Sequence, residues 1–335
     1  MATPAPGPTP AEWAPHQAMW LGFPSHADLW GEHLGPARRE TTALALALAG
    51  PGAEKVKLLA ATPEAVRAAR DLVGMGDEIE VLEAEFGDVW LRDTGPIFTG
   101  PDRAAGFRFN GWGRKYELAG DETVAGRMAL LSGARLDHHD FVLEGGALDQ
   151  DGAGLAITTR QCLLNPNRNP DWREADAEKA LGRTLGIRKI IWLSVGLMKD
   201  HTDGHVDNLA RFVRPGVVVC PMGFGRNDPN ATVYDDAARI LGEAADDRGA
   251  RLRVTRIPSP GRILGEDGRV VPASHMNFII ANKAVIVPSY EPVSARLAVE
   301  ALEIMFPGRQ VFALPSRALL TGGGSFHCIS QQQPA

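Results

Sequence analysis

The sequence predicts an α/β chain built from about five similar units whose polar ends converge on one centre. Three observations predict it. Helical and strand-like runs alternate along the chain. Four pairs of short apolar runs, joined by Gly- or Asp-containing turns, read as hairpins. A polar or charged group stands at the head of each hairpin, and these heads recur roughly every 50 to 70 residues.

The helices are expected over 40–49, 63–73, 121–132, 171–185, 229–248 and 292–305. Asp171 fits an N-cap, with acidic residues in the following turns, and Gly186 fits the stop. Short apolar strands are expected over 55–60, 79–84, 187–193, 251–257 and 311–314. The hairpins pair 95–98 with 106–109, 145–148 with 155–158, 206–212 with 217–220, and 276–280 with 285–288. A final run, 325–331, starts the same way and is expected to be an inner strand. The heads are Asp93, Glu144, His205 with Asp207, the polar stretch ending at Asn277, and His327 with Cys328. No Pro/Gly/Ser-rich linker divides the chain, so residues 1–335 read as a single domain.

Composition narrows the function. Of 335 residues, 44% are hydrophobic and 23% charged, which predicts a folded core rather than disorder. The net charge of −6 and the lack of a basic block argue against a nucleic-acid partner. No apolar run reaches the roughly 18–20 residues of a membrane helix, so no membrane association is expected. The first ten residues lack a charged region followed by an apolar one, so no signal peptide is expected. Three cysteines, an odd and sparse number, point to a reducing, cytoplasmic setting. Cys162 and Cys220 lie in apolar runs and read as buried, inert thiols. Cys328 differs, because Gly322-Gly323-Gly324 leads towards it and leaves room for another group to approach.

Five constellations carry candidate chemistry. His205 and Asp207 lie two apart, which on an extended strand would direct both to one face. A zinc site is the competing reading, but no Cys-x-x-Cys or His-Glu-x-x-His spacing supports it, and no metal is expected. Asp88-Val89-Trp90-Leu91-Arg92-Asp93 places a Trp, an Arg and an Asp before a turn; a packed Trp beside a surface ion pair is the commoner state for such a trio. Glu144 is followed by two glycines, which allow close approach. Trp112 sits between glycines in a flexible turn, as a ligand wall or as turn packing. Cys328 is the fifth. Three acids around a thiolate would repel it unless a cation lies among them. A guanidinium, planar and rich in N–H donors, pairs well with carboxylates and offers a carbon to attack.

At these residues the chain resembles the agmatine deiminase family of guanidine-modifying enzymes. The likeness runs from Pro10-Ala11-Glu12-Trp13 with Met19-Trp20-Leu21, through Trp90-Leu91-Arg92-Asp93-Thr94-Gly95-Pro96 and Asn110-Gly111-Trp112-Gly113. It continues through Leu143-Glu144-Gly145-Gly146, Cys162-Leu163-Leu164-Asn165-Pro166-Asn167-Arg168-Asn169-Pro170 and Thr202-Asp203-Gly204-His205-Val206-Asp207-Asn208 to the tail from Gly322 to Pro334.

The resemblance implies a five-bladed, pseudo-symmetric α/β-propeller (the pentein fold) of ββαβ-type units around a central active site. It implies Cys328 as nucleophile, His205 as general acid/base, and Asp93 and Asp207 as the grip on the guanidinium. Glu144, Trp90, Trp112 and Asp200 would bind substrate. No metal and no cofactor is implied. The partner is a small cationic guanidino compound, and a homodimer is compatible. The expected reaction is hydrolysis of agmatine to N-carbamoylputrescine and ammonia through a covalent thiouronium on Cys328. Deimination of another guanidine (peptidyl-arginine or free arginine) and amidino transfer are the alternatives. His201 stands where the family often has an acid that can help bind the distal amine, with Asp200 retained beside it. Ser325-Phe326 replaces a commoner polar-Ile pair. Both departures bear on specificity rather than on the chemistry.

Overall fold

The computed structural model describes residues 7–335; the reading of the first ten residues as lacking a leader falls partly outside them. Sixteen strands form five small sheets among the described residues. The first sheet contains β1 (His16–Phe23), β2 (Val56–Ala60) and β3 (Ile79–Glu83), paired parallel in that order. Helices Leu34–Ala49 and Pro63–Val73 provide the two crossovers. Pro63–Val73 starts where it does because Thr62 Oγ1 accepts the Ala65 N–H at 3.1 Å and proline, which lacks an N–H, stands at its start.

The other four sheets share one plan: an antiparallel hairpin, a helix, then a third strand parallel to the second. They are β4 (Ile97–Gly100), β5 (Arg103–Arg108) and β6 (Arg135–Val142) with helix Val124–Ser132, and β7 (Asp149–Gln150), β8 (Leu155–Thr159) and β9 (Lys189–Leu193) with helix Glu174–Leu185. Next come β10 (Arg211–Arg214), β11 (Val217–Met222) and β12 (Arg253–Pro258) with helix Ala231–Glu243. The last set is β13 (Ile279–Ile280), β14 (Ala284–Ser289) and β15 (Gln310–Pro315) with helix Pro292–Met305. The final strand, β16 (Ser330–Pro334), pairs antiparallel with β1. It thus gives the first sheet the strand that every other sheet receives from its own hairpin.

The structure corrects several expected elements. The tail strand begins at Ser330 rather than Ser325. Residues before it turn instead, with Ile329 N–H donating to Ser325 C=O and Ser330 N–H to His327 C=O. Gly145–Ala147 and Val206–Asn208 are 3-10 turns rather than strands, so His205 and Asp207 do not project from an extended strand. The helix expected from Asp171 begins at Glu174, where Asp176 Oδ2 accepts the Arg173 N–H at 3.0 Å. The helix over 229–248 ends at Glu243, because Ala244 turns to extended backbone. Strand β1 was not expected at all. All but one of its residues are buried, so it shows no alternation, and parallel strands covered on both faces lose that signal.

A residue of interest stands a few positions before each sheet's hairpin-edge strand. Asp93 precedes β4, Glu144 precedes β7, Asp207 precedes β10, Asn277 precedes β13, and Cys328 precedes β16. The tail is also locked in place. Buried Arg92 donates from Nη1 to Gln331 Oε1 at 2.9 Å and Gln332 Oε1 at 2.8 Å, and Trp20 Nε1–H donates to Gln333 Oε1 at 3.1 Å. No helix among the described residues is long and apolar enough to cross a membrane.

Removing residues 330–335 while keeping Cys328 is therefore expected to destabilise the whole protein. It strips the Gln331, Gln332 and Ser330 acceptors from a buried guanidinium, a loss of about 1–3 kcal/mol for each donor left unsatisfied, and removes the strand paired with β1. Urea unfolding checks this, and an unchanged midpoint would contradict it.

Candidate active site

Cys328 is buried in the turn before β16. Asn277 holds that turn: its Oδ1 accepts the backbone N–H of His327 at 2.9 Å and of Cys328 at 3.2 Å. Its Nδ2 lies 3.2 Å from Cys328 Sγ, as a donor to the sulfur. Asp207 Oδ2 lies 3.8 Å from Sγ on another side. Burial, then the charges of Asp207 and Asp93, push the Cys328 thiol well above its ordinary range, against the pull of the Asn277 donor. The free protein thus holds a thiol, not a thiolate.

Asp93 belongs to the one-turn helix Leu91–Thr94. Its Oδ2 accepts the Trp112 indole N–H at 2.9 Å and its Oδ1 accepts the Gly146 N–H at 2.9 Å. Burial raises the Asp93 carboxyl; His205 opposes this, while Asp207 and Glu144 add to it. Trp112 reaches Asp93 from a tight turn in which its own φ is +53°, an unusual conformation for an aromatic residue. Asn110 Oδ1 steadies that turn by accepting the Gly113 N–H at 2.9 Å. Gly146 is required by close approach: a Cβ there would lie 2.6 Å from His205 Nδ1 and 2.8 Å from Asp93 Oδ1.

His205 is buried between two acids. Its Nδ1 lies 3.6 Å from Asp93 Oδ2 and its Nε2 lies 4.0 Å from Glu144 Oε2, and neither nitrogen has a hydrogen-bond partner. Burial works against charge on the ring, but Asp93, Cys162 and Glu144 outweigh it and raise His205 well above the ordinary imidazole range. The ring is thus charged and uncommitted, able to give a proton to an incoming group. Glu144 is itself neutralised by buried Arg168, whose Nε donates to Oε1 at 2.6 Å.

Asp207 sits in a second buried network. His327 bridges it to Glu12, with Nδ1 2.8 Å from Asp207 Oδ2 and Nε2 3.0 Å from Glu12 Oε2. Arg211 pairs with Glu12 and, at 2.6 Å, with Asp149. Burial would raise Asp207, yet His327, then His205 and Arg211, hold it below the usual carboxylate range. Its Oδ1 has no partner and is free to accept from a ligand.

These groups stand at the inner end of a cavity of about 300 Å3. Cys328, Asp93, Trp90 and Trp112 line it, while Tyr116 and His201 stack near it with ring centroids 5.9 Å apart. Asp200 is not among the lining residues. Its Oδ1 accepts from Thr202 N–H at 2.9 Å and Thr202 Oγ1 at 2.6 Å, which positions the loop that bears His201. Glu144, His205 and Asp207 lie deeper than the wall, behind Asp93 and Cys328. Cys162 is buried as expected, but it adjoins the site: its sulfur, a Glu144 oxygen and a His205 nitrogen lie within 4.8 Å of one another. That trio could offer ligands to a metal, though Arg168 already occupies Glu144 Oε1.

Sequence reasoning did not single out Asn277, His327, Glu12 or Arg168 as site residues. Asn277 heads the fourth hairpin, the place that supplies an acid in the preceding three. His327 adjoins Cys328, and Glu12 and Arg168 lie inside the motifs noted above. The position was legible in each case; the pairing, up to 315 residues distant, was not.

The matching family model is that of Porphyromonas-type peptidyl-arginine deiminase, over residues 8–334. The chain is 37% identical to the agmatine deiminase of Ectopseudomonas mendocina, covering 97% of this chain and 95% of that one. It superposes on the structure of agmatine deiminase from Enterococcus faecalis with TM-score 0.91 at 30% identity, covering 98% of this chain and 95% of that one. The DDAH of Pseudomonas aeruginosa shares the fold at TM-score 0.55 and 13% identity, covering 95% of this chain and 99% of that one.

Trp112→Phe keeps the aromatic wall but removes the donor that fixes Asp93. It is expected to lower kcat/KM on a guanidino substrate by about 10- to 100-fold, the worth of one hydrogen bond to a charged group. Kinetics within twofold of the parent would contradict this role.

Proposed function

The chain belongs to the agmatine deiminase family, and we propose that it hydrolyses agmatine to N-carbamoylputrescine and ammonia. The observation that carries this reading is the environment of Cys328: a buried thiol beside Asp93 and Asp207, with a charged, unpartnered His205 across the same acids. Such a site disfavours a thiolate and any anionic ligand, and favours a guanidinium. We read the five sheets as the blades of a pseudo-fivefold propeller within a single catalytic domain. The three unpaired, buried cysteines support a reducing, cytoplasmic setting.

Each step follows from the placed groups. Asp93 and the free Oδ1 of Asp207 accept N–H groups from the guanidinium and hold its plane against Cys328. The bound cation offsets the acids, and the thiol releases its proton to solvent. Sγ then forms a bond to the guanidinium carbon. His205 gives its proton to one terminal nitrogen, the C–N bond breaks, and ammonia leaves. A thiouronium remains on Cys328. Neutral His205 takes a proton from water as the oxygen bonds to the same carbon. The C–S bond then breaks, the thiol takes up the hydroxyl proton, and the ureido product leaves. The proton first lost to solvent accompanies ammonia as ammonium.

A second reading, deimination of a different guanidine, is favoured by one observation: the outer cavity presents Tyr116 and His201 rather than an acid. Cys328→Ala should cut ammonia release from agmatine by at least about 10⁴-fold while unfolding stays cooperative. Assaying ureido product from agmatine, arginine and a peptidyl-arginine side by side decides the substrate. Turnover by Cys328→Ala, or arginine consumed while agmatine is inert, would contradict the first reading.

A further inference from the structure

Asp88 lies in the cavity wall, and two tryptophan indoles converge on it. Its Oδ1 accepts Trp30 Nε1–H at 3.0 Å and Val89 N–H at 2.8 Å; its Oδ2 accepts Trp90 Nε1–H at 2.8 Å. The carboxylate, which only accepts, is the form that satisfies all three donors. The rings stand 6.2 Å apart, centroid to centroid, and are tilted by 31°. Trp30, Trp90 and Asp88 all line the cavity.

The glycines before the nucleophile set the order of these rings. A Cβ on Gly324 would lie 2.6 Å from Trp90 Cζ3 and 3.1 Å from Cys328 Sγ. A Cβ on Gly322 would lie 2.8 Å from Trp30 Cη2 and 2.9 Å from Trp90 Cζ2. Outward from Cys328 the wall therefore runs first along Trp90 and then to Trp30. In agmatine, four methylenes separate the guanidino group from the ammonium, a span of about 6 Å by ordinary bond lengths. With the guanidinium carbon at Cys328 and the chain along Trp90, the ammonium arrives at Trp30.

What it meets there is the Trp30 indole, not a free acid. Asp88 and Asp93 are the only acids lining the cavity among the described residues. Asp93 faces the guanidinium, and Asp88 is covered by its three donors. An anion that accepts an indole N–H pushes electron density into the ring and makes its face a better host for a cation. We propose that Trp30 and Trp90, joined through Asp88, form the subsite for the substrate's distal ammonium, recognised by cation–π attraction in place of an ion pair. This rests on the agmatine reading above and assigns Trp30 and Asp88 to specificity.

The test compares agmatine with n-butylguanidine, which has the same four-carbon chain but no ammonium, on the parent protein, Trp30→Leu, Trp30→Phe and Asp88→Asn. The parent should prefer agmatine by about tenfold in kcat/KM, which is about 1.4 kcal/mol and within the range of a desolvated cation–π contact. In Trp30→Leu agmatine should lose about tenfold, mainly through KM, and n-butylguanidine about twofold, so the preference collapses. Trp30→Phe should keep most of the preference, and Asp88→Asn should weaken it. Because the ratio is read on one preparation, partial misfolding of a variant cancels. An unchanged ratio in Trp30→Leu, or equal use of both guanidines by the parent, overturns the subsite alone. If the parent makes ureido product from neither, the deiminase reading falls and the subsite falls with it.

Discussion

The crowding of buried carboxylates around one sulfur is the constraint on which the rest of this structure depends. Asp93, Glu144 and Asp207 are all out of water, and the charges of Asp207 and Glu144 raise the Asp93 carboxyl further. Unpaired, such groups would be protonated or would destabilise the fold. Each has a fixed counterpart instead: His205 for Asp93, Arg168 for Glu144, and His327 backed by Arg211 for Asp207. The excess that remains lies at Asp93, which lines the cavity, and at the unpartnered Oδ1 of Asp207 behind it. On the proposed mechanism a guanidinium completes this balance as no neutral ligand can, and its binding activates the thiol.

The sheets deliver those charges. The head of every first strand is a turn, and each turn contributes one group: Asp93, Glu144, Asp207, Asn277, Cys328. The tail matters because β16 serves as the first strand of the first sheet, so Cys328 is held by the same device as the acids. Arg92 and Asn277 fasten that turn from two different sheets, and Glu12 reaches His327 from the segment before β1. Glu12 and the tail thus meet at His327, the neighbour of Cys328.

Much of this was legible in the sequence, for reasons that can be named. Pro63–Val73 and Pro292–Met305 were located at both ends because a proline stands at each start and the apolar spacing is helical. The recurrence of polar heads located the residues that converge. What escaped was anything set by partners distant in sequence. His205 and Asp207 have strand-like spacing but lie at a 3-10 turn, whose shape is set by packing between sheets. β1 has no alternation to reveal it. Trp112 sits at positive φ because its turn and its bond to Asp93 hold it there, and no local propensity would place an aromatic residue so. The cover on Asp88 needed Trp30 and Trp90 from separate segments.

The central claim is that the Cys328 thiolate forms only when a cation joins the acids. Titrating thiolate ultraviolet absorbance, as the difference between the parent and Cys328→Ser, tests it most directly. The account predicts a thiol in the free protein at neutral pH, ionising well above the ordinary cysteine value of about 8.5, and a marked fall once a non-reacting guanidinium ligand fills the cavity. A thiolate already present near pH 7 in the free protein, or a titration that a bound guanidinium leaves in place, would contradict it.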